Sequence, residues 1–445
     1  MGIEGYNATY NVLLENKHIA TNAAKMLDIR LTTLRERGSK MYMMRRLASS
    51  ISTLGPVFLI LWCVMFLVFF ADSTAVPAIP YQIRDFLKEE TAVVVTIGAL
   101  SSIFNLVRTS VNLPAGLIAD KFGRRRLVLF SVFLFPLSYI LLLVSNNVSW
   151  IFASYIIVGI CFGILPPIVN AFIADITQKA SRATAYGIFN LSWILGQTLA
   201  PMIGGFLAES AGLKASYVAA LVLSIANIIL IFRVIENIKE SKTIEKETSL
   251  GQEQHAEGLT TGYKRILFLF GGDSILSGLA NGILTTIFYA YLMYVLGVSV
   301  FELGVSFSIG WGIATAIAQL PGGKLADRFG RKPIVLICGV AAAVLVPLLP
   351  LTKSLMQFIC ILGLICFIGN LSNPAYSAWL MDHTPTKRRA GGFGLIGATS
   401  GVGTIIGPTI GGILWATFSP NVTIPFITVA IIFLLRIPII LTIKS

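Results

Sequence analysis

Charged residues are scarce in this chain of 445 residues, where Asp, Glu, Lys and Arg together make up 12%. Hydrophobic residues make up 55%, and the mean hydropathy is +0.81. Soluble domains carry about 25% charged residues, so the composition excludes a water-soluble globular protein. Apolar runs of about 20 residues recur, the length that crosses a bilayer core of ~30 Å as a helix. These runs do not alternate with polar residues, as membrane strands would, so we predict an all-α integral membrane protein.

Histidine and cysteine are also scarce, with three and five residues respectively. The cysteines all lie inside apolar runs and lack the spacing of metal ligands, and the histidines are scattered over predicted loops. The sequence therefore shows no metal cluster, nucleophilic triad or cofactor loop. We expect a protein that is not an enzyme and that holds neither a metal nor an organic cofactor.

The net charge of +13 would suit a nucleic-acid partner in a soluble protein, but its placement indicates a membrane topology. Among the loops predicted on one side of the membrane, the basic residues are only Arg84, Lys88, Lys214 and Lys353. The N-terminal tail, the loops on the other side and the last two residues together hold 28 of the 34 Lys and Arg, which identifies that side as cytoplasmic by the positive-inside rule. We expect a monomeric multi-pass protein of the plasma or inner membrane, with both termini cytoplasmic, lipid around it and no nucleic-acid partner.

An internal repeat organises the chain. A short charged segment, Gly116 to Arg126, lies between two apolar runs and recurs from Gly323, an offset of 207 residues (116 to 323). A small-residue motif obeys the same offset, as Gly196, Pro201, Gly204 and Gly205 recur as Gly403, Pro408, Gly411 and Gly412. A third set does too, since Pro167, Asp175, Arg182 and Gly187 recur as Pro374, Asp382, Arg389 and Gly394. The chain is therefore two copies of one half, fused in the same order.

Hydropathy divides the chain into four parts. We predict a cytoplasmic tail at 1–50, a six-helix bundle at 51–234, a cytoplasmic linker at 235–264 and a second six-helix bundle at 265–445. The tail carries basic residues that would hold it at an anionic membrane surface. Three of the twelve predicted helices matter below: helix 1 from about Pro56 to Tyr81, helix 2 from about Thr91 to Ala115, and helix 8 from about Glu302 to Pro321.

The repeated charged segment resembles the signature loop of the major facilitator superfamily. Its pattern, Gly-x-x-x-Asp-x-x-Gly-Arg-[Lys/Arg], is met between predicted helices 2 and 3 by Gly116, Asp120, Gly123, Arg124 and Arg125. A second copy between predicted helices 8 and 9 is formed by Gly323, Asp327, Gly330, Arg331 and Lys332. The resemblance covers nearly everything after residue 50. It implies twelve helices in two pseudo-symmetric six-helix bundles and a secondary active transporter that works by alternating access.

In such a transporter the signature loop implies an inner gate, whose contacts hold in one state and release in the other. The implied contacts are Asp120 with the N-terminal end of helix 11, Arg124 with Asp175, Asp327 with the start of helix 5, and Arg331 with Asp382. The alternative is that the basic residues only keep these loops on the cytoplasmic side.

The helix 5 motif, Gly196-x-x-x-Ala-Pro201-x-x-Gly204-Gly205, resembles the antiporter motif of the same family, and two prolines near the end of helix 1 resemble its exporter branch. Helix 11 carries a matching motif of Gly403, Gly407, Pro408, Gly411 and Gly412. A motif in both halves is also what close helix packing alone would give. One departure weakens the exporter reading, since exporters of this family carry an arginine in helix 4 where this chain has Tyr155, four residues before Gly159.

Ionisable side chains at hydrocarbon depth are expensive, so each is a functional candidate. We find Asp72, Arg108 and Asp273, and also Arg436, which we expect to snorkel to the inner end of helix 12. Asp72 lies 16 residues beyond Pro56, about 24 Å along a helix, which predicts a position in the outer half of the membrane. Asp72 either couples protons or substrate or forms a structural pair. Arg108 and Asp273 are open between the same roles, and Arg108 could instead bind an anionic substrate.

A further set of polar and aromatic side chains is predicted either to line a central cavity or to pack between helices: Asn105, Asn112, Trp193, Gln197, Asn281, Trp311, Gln319, Asn370 and Trp379.

From these features we expect proton-coupled export of a small organic molecule, with the proton gradient as driving force. The alternative is a proton-coupled importer or a uniporter of a metabolite such as a sugar or an organic acid. A non-transporting membrane sensor is more distant, because such a protein would carry larger soluble extensions.

Overall fold

The structure is a computed structural model that describes residues 55–177, 182–238, 261–384 and 389–443. Within these ranges it has twelve helices long and apolar enough to cross a membrane, and no strand. Helices satisfy every backbone hydrogen bond within one segment, which a bilayer core requires. The predicted all-α, twelve-helix fold is confirmed. The tail at 1–50 and most of the linker lie outside the described residues, so the division into four parts stays a prediction.

We number the spanning helices α1 to α12. The first six are α1 (Gly55–Ala75, resuming as Ala78–Leu87), α2 (Glu90–Phe122), α3 (Arg124–Val144), α4 (Val148–Ile176), α5 (Arg182–Ala211) and α6 (Leu213–Ile238).

The second six include short π-helical and 3₁₀ segments. They are α7 (Thr261–Ala290 with a π segment at Tyr291–Val295), α8 (Val300–Val305, a π segment at Ser306–Ile313, then Ala314–Phe329), α9 (Arg331–Leu345 with a 3₁₀ segment at Val346–Leu351), α10 (Leu355–Asp382), α11 (Arg389–Phe418) and α12 (Thr423–Thr442).

Helix α1 is longer than predicted, which changes the position of Asp72 within its membrane-spanning segment. The prolines bend the helix at a turn beside Pro77, but it resumes and runs to Leu87. Its spanning segment is Val57–Leu87, and Asp72 is the sixteenth of these 31 residues. By residue count Asp72 therefore lies at the middle of this span, and its predicted position in the outer half of the membrane stays a prediction.

The signature segment is mostly helical, although we predicted a charged turn. Helix α2 continues through Gly116 to Phe122, and only Gly123, with φ 88°, turns the chain into α3. In the second half α8 runs to Phe329, and Gly330 has the same φ of 88°. This left-handed conformation is strained for residues with a side chain, so glycine is needed at both turns. The internal repeat thus extends to backbone geometry.

Glycines set the packing of α5 and α11. A Cβ at Gly196 would lie 2.9 Å from the Cβ of Phe69, and one at Gly204 would collide with the carbonyl oxygen of Thr74, both on α1. In the second half Gly403, Gly407 and Gly411 approach the α7 backbone as closely. The helix 5 and helix 11 motifs therefore pack α5 on α1 and α11 on α7, as small residues do in membrane helices.

Candidate transport pathway

A cavity of about 710 Å³ lies between the two halves. The first half contributes six lining residues, Asp72, Ser73, Val76, Phe104, Gln197 and Pro201, and the second half contributes the rest. The π segment of α8 places Phe307 and Trp311 on the wall, and π segments are frequent at functional sites. The wall combines aromatic and aliphatic side chains with many polar ones, including the charged residues Asp72, Asp273 and Arg436, and such a mixture can hold an organic molecule and fix its orientation.

The cavity extends towards one face of the bundle. We call this the motif face, because it carries the turns at Gly123 and Gly330, and the opposite one the distal face. Val335 and Ile396 line the cavity and lie only four and seven residues from the motif-face ends of α9 and α11. Gly394 and Leu395, nearer that face, are exposed. The cavity therefore opens at the motif face.

The distal part is closed by two contacts between the halves, which we call the clasps. In the α2–α11 clasp, a Cβ at Gly98 would collide with the Pro408 carbonyl oxygen, while the Ser102 hydroxyl accepts a hydrogen bond from the Thr409 backbone N–H at 3.1 Å. The Oγ atoms of Ser102 and Thr409 are also 2.8 Å apart. The glycine contact and the hydrogen bond from a backbone N–H both require the backbones of α2 and α11 to lie close together.

The α5–α8 clasp repeats this arrangement. Gly304 lies against the Pro201 carbonyl oxygen, and the Ser308 hydroxyl accepts from the Met202 N–H at 3.0 Å. Pro201 and Pro408 are related by the 207 offset. Gly98 corresponds to Gly304, and Ser102 to Ser308, at an offset of 206 residues (98 to 304). This offset is one residue shorter than that of the repeat, so a comparison of positions 207 residues apart does not detect these pairs.

Three further contacts join the halves at the distal rim. The Glu209 carboxylate accepts from the Ser299 hydroxyl at 2.6 Å and the Phe301 N–H at 2.9 Å, at the start of α8. The Trp415 indole donates to Glu90 at 2.9 Å, and the Tyr81 hydroxyl donates to the Val298 carbonyl at 2.5 Å. In the part of the chain that is described, the hydrogen bonds between the halves lie at the clasps and this rim.

Asp72 lies on the cavity wall at the middle of the membrane span. The positive charge of Arg108 acts on it electrostatically, although no hydrogen bond or ion pair between these two described side chains is present. Arg108 is exposed, and Phe104, one turn away on α2, lines the cavity. On α4, the position where exporters of this family carry an arginine holds Tyr155, which packs edge-on against Phe104 with 6.1 Å between ring centroids. The basic residue in this part of the first half is therefore Arg108 on α2.

Asp273 forms a second charged site with Arg436. Arg436 donates from Nε to Oδ1 at 2.8 Å and from Nη2 to Oδ2 at 3.1 Å, and both residues line the cavity. The expectation that Arg436 snorkels to the helix end is wrong, since a buried carboxylate gives the guanidinium a partner inside the membrane.

The predicted gate contacts are described only in part. The ion pair between Arg331 and Asp382 is present. The side chains of Asp120 and Asp175 lie outside those described, as do those at the starts of α5 and α11. The contacts predicted for Asp120, Arg124 and Asp327 therefore stay predictions, and so does a gate role for Arg331.

Four of the nine predicted lining residues are on the cavity wall: Gln197, Asn281, Trp311 and Asn370. Trp379 is instead buried in a separate core cluster with Phe270, and the other four are not among the lining residues. Sequence reasoning missed Tyr289 and Tyr376 on the wall, because an aromatic residue in an apolar run gives no sign of which way its helix is turned.

A twelve-helix bundle of two repeated halves, enclosing a cavity that opens at one face, defines a membrane transporter. The family model of the Major Facilitator Superfamily matches residues 61–270 and 274–443. The chain belongs to the major facilitator superfamily.

Relatives and solved structures agree with this assignment. The chain is 26% identical over 388 residues to multidrug resistance protein 2 of Bacillus subtilis strain 168, covering 85% of this chain and 92% of that protein. It is 23% identical to the quinolone resistance protein NorA of Staphylococcus aureus strain MRSA252, covering 80% and 89%. The fold also matches a D-xylose-proton symporter with a TM-score of 0.68, at 14% identity, covering 87% of this chain and 97% of that one.

Proposed function

We propose that this protein exports small amphipathic organic molecules in exchange for protons, with Asp72 as the coupling group. The observation that carries the proposal is the position of Asp72, a carboxylate in the middle of a membrane-spanning segment and on the wall of a cavity shared by both halves. Ionisable groups in such positions mark proton and substrate pathways. The names of the two relatives, which concern multidrug and quinolone resistance, support an organic substrate and export.

The coupling would follow from competition at one carboxylate. Asp72 can hold a proton or pair with a cationic substrate, but not both, so each displaces the other when the cavity is open to a given side. Arg108, one turn from Phe104 on α2, would supply a positive charge beside this carboxylate. The positive-inside rule makes the motif face and both termini cytoplasmic, so the structure would be the inward-facing state.

The test is transport of rhodamine 123, a cationic dye, in proteoliposomes with an imposed pH gradient. We expect the gradient to drive dye movement in the wild type, and Asp72→Asn to lose that drive by more than tenfold while still binding the dye, with a weaker affinity that no longer changes with pH. Asp85→Asn, at an exposed distal position of α1, is the matched control and should transport normally. Gradient-driven transport at the wild-type rate by Asp72→Asn would contradict the coupling role.

Import is the second candidate, favoured by the structural likeness to a proton symporter. The same liposomes separate the two, because an exporter moves dye against the direction of proton flow and a symporter moves it with that flow.

A further inference from the structure

The buried pair of Asp273 and Arg436 leaves one edge of the guanidinium on the cavity. The Asp273 side chain is 1% exposed, whereas that of Arg436 is 15% exposed, and both residues contribute to the cavity wall. Asp273 accepts from Nε and Nη2. The carboxylate is therefore sealed behind the guanidinium, which presents its remaining N–H groups forward.

Three of those N–H groups remain to be satisfied. A guanidinium has five N–H donors, and the Asp273 pair uses two of them. Among the described residues, the structure gives the other three no acceptor. A guanidinium edge with parallel N–H groups matches the two oxygens of a carboxylate, which it binds in a bidentate manner.

The wall beside the pair supplies further polar contacts. The hydroxyl oxygen of Tyr376 lies 3.1 Å from that of Ser274, and both residues line the cavity. Tyr376 lines the same cavity as Asp273 and Arg436. The Tyr376 hydroxyl also donates to the Phe270 carbonyl oxygen at 3.3 Å, so these two hydroxyls are engaged with each other and with the backbone, and the guanidinium supplies the N–H donors that face a ligand.

The fold itself does not require this ion pair. The positions that correspond to Asp273 and Arg436 in the first half, 207 residues earlier, are Phe66 and Ile229. The first half thus builds the same bundle with two apolar residues there. A buried ion pair also adds little to stability compared with well-packed apolar residues, so a structural role gives no reason for it to face the cavity.

We propose that Arg436, positioned by Asp273, is a carboxylate-binding subsite in the second half of the cavity. With Asp72 on the wall contributed by the first half, the cavity would then accept zwitterions, compounds with a cationic group and a carboxylate on an apolar body. This proposal rests on the proposed transport function and adds the class of substrate.

The test compares two dyes that differ at one group. Rhodamine 110 carries a free carboxylate, and rhodamine 123 is its methyl ester. Their Kd values are measured by fluorescence anisotropy on the purified full-length chain, for the wild type and for the double variant Asp273→Asn, Arg436→Gln, which leaves no unpaired buried charge. We expect the double variant to bind rhodamine 110 about 10- to 100-fold more weakly, the loss of a charge-assisted hydrogen-bonded pair, and rhodamine 123 within about twofold of wild type.

A second variant keeps the test decisive if the first is unstable. Arg436→Lys retains the charge but not the bidentate geometry, so it should lose part of the rhodamine 110 affinity and none of the rhodamine 123 affinity. The proposal is overturned if the two dyes weaken equally, if neither changes, or if the wild type does not bind rhodamine 110. Movement of rhodamine 123 under a pH gradient, which needs no carboxylate on the dye, tests the transport function independently.

Discussion

At the residue scale, the proposed chemistry rests on four charged side chains, and none of them is repeated in the other half of the chain. Adding the 207 offset to Asp72 and Arg108 gives Leu279 and Thr315, while subtracting it from Asp273 and Arg436 gives Phe66 and Ile229. The duplication therefore supplies the scaffold, and single substitutions in one half or the other supply the charges. Charge in the cavity is distributed unequally as a result, with an acid in the first half and an acid–base pair in the second.

Glu209 is a residue whose effect can be predicted from its contacts. Its carboxylate holds the start of α8 from the end of α5, and Glu209→Gln would weaken both hydrogen bonds. We expect the distal-closed state to lose about 1–2 kcal/mol, a shift of roughly 5- to 30-fold towards the distal-open state. The measurement is the distance distribution between spin labels at Lys214 and Lys353, both exposed at the distal face.

The matched control is Glu89→Gln. Glu89 is also exposed at the distal face, but its carboxylate accepts from Thr91 within its own half. In Glu89→Gln, the distances between the spin labels at positions 214 and 353 should equal those in the protein without this substitution. An equal shift in both variants would show that the effect reflects net charge and not the Glu209 contact.

At the element scale, the clasps depend on glycine where backbones touch. Gly98→Ala would place a methyl group against the Pro408 carbonyl oxygen, which a backbone atom cannot easily avoid. We therefore expect Gly98→Ala to disfavour distal closure, with more than tenfold slower rhodamine 123 transport and longer distances between the same two labels. Gly187→Ala on α5, whose Cβ would have no neighbour within 4 Å, should behave as wild type. Normal transport by Gly98→Ala would mean that the clasp yields to a methyl group.

Elements were also where prediction from sequence worked best. Hydropathy located the helices, and the repeat located the glycine turns, since both are properties of residue order along the chain. The ends of α1 and α2 were misjudged, because prolines and charges that usually end a helix lie here within continuing ones. The pair of Asp273 with Arg436 and the clasp serines depend on how helices rotate against each other, for which a single sequence gives no signal.

At the scale of the whole molecule, alternating access requires both clasps to release together. A disulfide between Ser102→Cys and Thr409→Cys, whose hydroxyls are 2.8 Å apart, should hold the distal face closed. We expect the oxidised double variant to lose transport almost completely while still binding rhodamine 123 from the motif face. Reduction of the disulfide should restore transport. Each single cysteine variant is the control, in a background with the exposed Cys360 replaced by serine. Transport by the cross-linked protein would refute distal opening at α2–α11.

The near-identity of the two clasps has a consequence for leakage. Each of them joins the first half to the second through a glycine–carbonyl contact and a serine hydrogen bond, so a partial opening at one of them would strain the other. The two clasps would therefore open and close together, and states with one clasp open and the other closed would be sparsely populated. A transporter built this way would seldom be open to both faces at once, and the ion gradient across its membrane is spared even when no substrate is bound.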